Sequence, residues 1–257
     1  MNFELIQSIG PTLMFAAVAL ALFAGFVKGT VGFALPMIMI SGLASFLPPD
    51  VALAGLIVPA VVANLWQALR NGPGAAMASA RVHWRFLMIL LGFIAASAQL
   101  VAVLPASVLF LILGVPVSTF ALIQLIGWRP RIDARNRRPV AMGAGALAGF
   151  LGGISGVWGP PLVLYLTALS TPKAEQMRVQ GVVYSAGAIM LVLAHLKSGV
   201  LTAPSVTLSS ALLFPALMGL YIGFRVQDHM DQDKFRKMTL LVLVVAGLNL
   251  IRRGLMG

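Results

Sequence analysis

The 257-residue sequence contains no cysteine. That absence excludes disulfides, thiolate metal sites and a cysteine nucleophile. Charge is nearly as scarce. Only 10% of the residues are Asp, Glu, Lys or Arg, against roughly 25% in an ordinary soluble domain. So few charges cannot cover a water-facing surface, and the same apolar composition excludes intrinsic disorder. Acid is the scarcer sign, with 7 Asp and Glu against 18 Lys and Arg. What fills the chain is apolar: 60% of residues are hydrophobic, with a mean hydropathy of +0.97. This is the composition of an all-α polytopic membrane protein. In such a chain the basic excess points to loops facing an anionic cytoplasmic leaflet, not to nucleic acid.

Residues 11–28 have the apolarity of a signal-peptide core, but Met1 to Pro11 carries Glu4 and no basic residue, so the segment reads as a first membrane helix. Ten apolar runs follow one another at 10–28, 31–46, 51–69, 85–103, 106–127, 139–155, 158–170, 179–196, 205–224 and 236–251. A spanning helix needs about 20 residues. The second and seventh runs are shorter and are joined to their predecessors by glycines, so each pair reads as a broken or re-entrant helix, giving 8 to 10 segments. Basic residues fall mainly on one side: Lys28; Arg70, Arg81 and Arg85; the Arg-rich connection from Trp128 to Pro139; Lys173 and Arg178; and Arg225, Lys234, Arg236 and Lys237. The opposite side has Lys197, Arg252 and Arg253. The first side is therefore expected in the cytoplasm and both termini outside.

The chain repeats itself. AGFVKGTVGFALP at 24–36 returns as AGFLGGISGVWGP at 148–160, with six identities at an offset of 124 residues. The offset persists from Pro48 to Pro172, and Arg70-Asn71-Gly72 has a displaced counterpart in Lys197-Ser198-Gly199. Five runs per half is an odd number, so the halves are expected to be inverted relative to each other, as in many secondary transporters. The expected organisation is a first repeat over 1–127, a cytoplasmic linker over 128–138 and a second repeat over 139–257.

Backbone that leaves the helix inside a membrane must find hydrogen bonds elsewhere. Both repeated stretches are rich in glycine and end in proline, which suits the first turn of a restarted helix. Such a helix presents free N–H groups and a positive dipole end, a natural place for an anion. The two breaks are expected near the midplane, with Lys28, Gly29, Thr30 and Gly32 in the first. Gly153, Ser155, Gly156, Trp158, Gly159 and Pro160 belong to the second. Arg178 is placed either at the cytoplasmic mouth or among headgroups. Asn64, Gln67, Gln99, Gln124, Gln180 and Tyr184 either line the pore or bond between helices.

AGFLGGISGVWGPPLVLYL, followed by TPKAEQMR, resembles the sulfite exporter TauE/SafE family through both halves of the chain. The resemblance implies transport of small sulfur-containing anions: sulfite, thiosulfate, sulfonates or sulfoacetate. It places the family's glycine stretches on Gly25, Gly29 and Gly32, and on Gly149, Gly153, Gly156, Gly159 and Pro160. No carboxylate is placed as a mid-membrane proton carrier, so the expected direction is export, which an inside-negative potential drives for an anion. The expected location is the bacterial inner membrane. The expected partners are the small anion and membrane lipid, with a homo-oligomer left open and no cofactor or metal. Asp228, His229, Asp231 and Asp233 read as a helix cap and solvated turn. Two rivals remain. Gly153-Ile154-Ser155-Gly156 fits the pattern of a rhomboid-like intramembrane protease using Ser155 and His195, although the glycine frame recurs at 24–36 with Val31 in the serine's place. The other rival is a non-transporting membrane scaffold.

Overall fold

The computed structural model describes residues 9–97, 106–127, 132, 134–155, 159–195 and 203–256. Glu4, Gln99, residues 128–131 and 133 of the linker, Gly156, Trp158 and Lys197 to Gly199 lie outside the described residues. The described chain is helical: α1 (Pro11–Val31), α2 (Leu35–Leu43), α3 (Pro49–Leu69), α4 (Pro73–Val82), α5 (Trp84–Ser97), α6 (Ala106–Leu125), α7 (Arg137–Ser155), α8 (Gly159–Ala168), α9 (Lys173–His195), α10 (Ala203–His229) and α11 (Gln232–Met256). Among these residues α1, α10 from Thr207 and α11 are long and apolar enough to cross a membrane, as is the α4–α5 pair if its 78° bend lies within one span. Helices α2 and α8 have 9 and 10 residues. At 1.5 Å per residue each reaches only about 15 Å, half of the roughly 30 Å hydrocarbon thickness. They are half-helices. Large apolar side chains stand outward, Phe15 at 76% and Phe214 at 72% exposure, which suits lipid and not water.

The helix bounds repeat the offset of 124 seen in the sequence. Val31 and Ser155 end α1 and α7, Leu35 and Gly159 open α2 and α8, and Pro49 and Lys173 open α3 and α9. One element departs from the sequence reading. The connection 70–84 between the third and fourth apolar runs contains α4, begun by Gly72 at φ 90 and Pro73 in the first turn. Its alanines favour helix, but its low apolarity hides it from a search for apolar runs.

The chain forms two compact units, each drawing on both halves. The first comprises residues through Arg70 and Tyr184–Met230. Here α1 and α10 cross at glycines. A Cβ on Gly25 would strike the carbonyl of Ala216, and one on Gly29 that of Leu220. In return, Gly219 meets the Leu22 carbonyl and Gly223 that of Phe26. Residue numbers rise together along the contact, so the two helices run parallel. Both strands of the crossing are Gly-x-x-x-Gly, which lets backbones touch where lipid supplies no hydrophobic drive. Helix α3 packs on α10 through a repair. Pro59 has no N–H for the Gly55 carbonyl one turn back. Ser209 Oγ donates to that carbonyl at 3.1 Å and accepts the Val58 N–H at 3.0 Å.

The second unit comprises Asn71–Val183 and Asp231 onward. Helix α7 crosses α5 with Gly145 against Phe86 and Gly149 against Leu90, again in parallel. Ser97 Oγ donates to the Gly149 carbonyl at 3.3 Å. Helices α6 and α11 meet at Gly114, Gly247 and Gly254, but residue numbers run oppositely there, Gly254 against Ser107 and Leu111 and Gly247 against Ser118. These two are antiparallel.

Candidate functional site

The first glycine break lies between Val31 and Leu35 in the first unit. Gly32 ends α1 at φ 91, and its N–H returns to the Lys28 carbonyl at 2.7 Å. Two residues on, Ala34 also has a positive φ, 77. An L-residue in that region costs about 1–2 kcal/mol, and such strain gathers where the surroundings hold the backbone for a purpose. Pro36 then sits in the first turn of α2, as expected of a restarted helix.

Lys28 occupies the last turn of α1 and is 1% exposed. Its ammonium donates to the Gly32 carbonyl at 3.4 Å and stands 5.3 Å from the centre of the Tyr184 ring. Gln67 Nε2 donates to the same carbonyl at 3.1 Å, while Asn64 Nδ2 holds the Tyr184 carbonyl at 3.3 Å. The cluster therefore ties α1, α3 and the Tyr184 segment together through two backbone oxygens, those of Gly32 and Tyr184. A buried ammonium needs compensation. Here it has a carbonyl, the negative end of the α1 dipole and an aromatic face. No salt bridge to a carboxylate is made by Lys28 among the described residues.

The other first-break residues differ in what they offer. Thr30 Oγ1 donates to the Phe26 carbonyl at 2.9 Å, so its proton is committed to its own helix. Gly29 faces the backbone of α10 at Leu220 and Gly223. Gly32 supplies the left-handed turn and the carbonyl that Lys28 and Gln67 share. Asn64 and Gln67 bond between helices, the second of the two roles open to them in the sequence.

In the second unit, Gly153 and Ser155 lie at the end of α7, while Gly159 and Pro160 begin α8 with Pro160 buried. The break between them, with Gly156 and Trp158, is outside the described residues. Arg178 lies in α9, where its Nε donates to Ser79 Oγ of α4 at 2.7 Å. Asp231 caps α11, accepting the Lys234 N–H at 2.7 Å, and Asp228 pairs with Arg70. Ser209 and Ala34 escaped the sequence reading. The signal for Ser209 was an intrahelical proline at Pro59, which demands a donor from elsewhere. Nothing in the sequence marks Ala34.

The family model for sulfite exporter TauE/SafE matches residues 17–250, and the chain belongs to that family. It is a multi-pass membrane transporter of sulfur anions and not an enzyme, which sets aside the protease built on Ser155 and His195. No curated protein and no solved structure matches the chain.

Proposed function

We propose that the chain exports a small sulfur-containing anion (sulfite, thiosulfate, a sulfonate or sulfoacetate) and that Lys28 is the fixed charge opposite that anion. The observation that carries this reading is the ammonium of Lys28, fully enclosed at a strained break and bonded to one carbonyl at 3.4 Å. An ammonium has three donors. An anion arriving at the break would take the remaining ones, and backbone N–H groups at the start of α2 would add to them. Gly32, Gln67 and Tyr184 hold the amine in position. Gly29 and Thr30 shape the backbone on its α1 side, and the matching glycine-proline stretch, Gly153 to Pro160, supplies the equivalent elements of the second repeat. Export fits the energetics. A monoanion leaving an inside-negative cell gains about 2.3 kcal/mol per 100 mV.

Efflux from proteoliposomes loaded with sulfite, thiosulfate, methanesulfonate or sulfoacetate tests the reading. At least one should leave in a protein-dependent manner, faster with the interior negative than with the potential collapsed. Lys28→Gln removes the nearest full charge and should weaken binding of that anion by about tenfold, or 1.4 kcal/mol. Lys28→Arg should retain part of it. Unchanged affinity in a folded Lys28→Gln protein removes Lys28 from the site.

A further inference from the structure

A second polar enclosure lies wholly within the second unit, where the end of α8, the start of α9 and the start of α11 meet. Its volume is about 80 Å³, several times the roughly 10–15 Å³ that one water requires. Gln232 builds one wall by bridging two segments: its Oε1 accepts the Lys173 N–H at 2.8 Å and its Nε2 donates to the Thr171 carbonyl at 3.1 Å. The chain enters this wall through Ser170, the second non-glycine residue with a positive φ, 53. The lining includes Thr167, Gln176 and Arg236. Arg236 is steadied by Gln124, whose Oε1 accepts from its Nη2 at 3.2 Å.

Two of these side chains are buried and incompletely bonded. Gln176 is 2% exposed and its Nε2 has no hydrogen-bond partner; Thr167 is 5% exposed and its Oγ1 has none. A buried polar group left so has given up its bonds to water and gained none in return. Two of them around one cavity, beside a guanidinium, form a donor set awaiting acceptors. Water meets such a need in part. An oxyanion meets it better, because one group accepts from several donors at once and its bond to the guanidinium is charge-assisted. Asp233, exposed at the rim, is the one carboxylate in the lining. It opposes an incoming anion and sets an upper bound on how tightly the cavity holds one. That suits a station that must release its cargo.

We infer that this cavity is a second oxyanion site, distinct from Lys28, in which Arg236, Gln176 and Thr167 hold a small tetrahedral or pyramidal sulfur oxyanion at the end of the second unit that carries the basic connections. It rests on the sulfur-anion reading above and adds a loading station to it.

Equilibrium binding of radiolabelled sulfite to the purified full-length protein separates the two. Wild type should bind two equivalents. Arg236→Gln should lose one and keep the one that Lys28→Gln loses, and Gln176→Leu should weaken the same equivalent as Arg236→Gln. Asp233→Asn should tighten it several-fold, a gain that a damaged fold does not produce. One equivalent in wild type, indifferent to Arg236→Gln and Asp233→Asn, overturns this site and leaves Lys28 standing. One equivalent lost in Arg236→Gln but kept in Lys28→Gln supports the site and overturns the Lys28 reading. Absence of binding by sulfite and equally by thiosulfate, methanesulfonate and sulfoacetate overturns both.

Discussion

A residue's type announces a capacity, and its neighbours decide whether that capacity is used. Lys28 and Thr30 stand two residues apart in one glycine break, and the sequence offers both as anion ligands. The threonine hydroxyl folds back on its own helix at Phe26, whereas the lysine amine is enclosed with a single carbonyl. No rule of spacing distinguishes them, because the difference lies in what Gln67, Tyr184 and α10 leave open. The acidic turn shows the opposite case, in which residue type nearly suffices. An aspartate three residues before a lysine at a helix start is a cap by pattern, and Asp231 is that cap. The Lys234 N–H is the main reason its carboxyl is held below the usual carboxylate range, with the Lys234 side chain adding to it. A depressed folded value means the cap stabilises above the unfolded carboxylate pKa of about 3.9 and loses that contribution as pH falls through the folded value. Asp231→Ala should therefore lower Tm at neutral pH, and the difference from wild type should shrink below pH about 4. A difference that stays constant from pH 7 to 3 would show that the carboxylate charge is not what stabilises the turn.

Helices inherit their ends from local chemistry but their faces from partners. Proline in the first turn and glycine at the stop made the break at 32–34 and the start of α2 readable. The same logic carries the bounds of α1, α2 and α3 onto α7, α8 and α9. Helix α4 was missed because it is built from alanine and serine, which no apolar-run search detects. Gln176 was missed because its importance depends on Arg236, some sixty residues away, arriving on α11. The glycines divide in the same way. Gly25 and Gly219 look like any membrane glycine in the sequence, yet each faces backbone across the α1–α10 crossing, while Gly92 of α5 has nothing within 4 Å of a Cβ position. Gly25→Ala and Gly219→Ala should each cost about 1–3 kcal/mol, since a methyl group there meets a carbonyl that cannot rotate away. Gly92→Ala should be neutral or stabilising by up to about 1 kcal/mol. Thermal unfolding in detergent reads all three, and equal Tm values would show that the crossing is looser than its geometry.

At the scale of the whole molecule, the directions of packed helices bear on topology more firmly than charge counting does. The first helix of one half runs parallel to the last long crossing before the end of the other, α1 with α10 and α7 with α5. The last helices of the two halves, α6 and α11, run antiparallel. Two repeats inserted in the same sense would give the reverse in both cases, provided each half crosses the membrane an odd number of times. Inverted repeats need both relations, and most of the basic residues then fall on one face. The absence of cysteine makes this directly measurable, because any introduced thiol is the only one that a membrane-impermeant maleimide can reach. Ser45, in the turn after α2, and Arg135, just before α7, are both exposed. Ser45→Cys should be labelled from outside intact cells and Arg135→Cys only after the membrane is opened. Because both thiols follow α2 in the chain, their placement on opposite faces does not depend on whether α2 spans or re-enters. Labelling of Arg135→Cys from outside, with Ser45→Cys protected, would invert the assignment and turn the basic face outward.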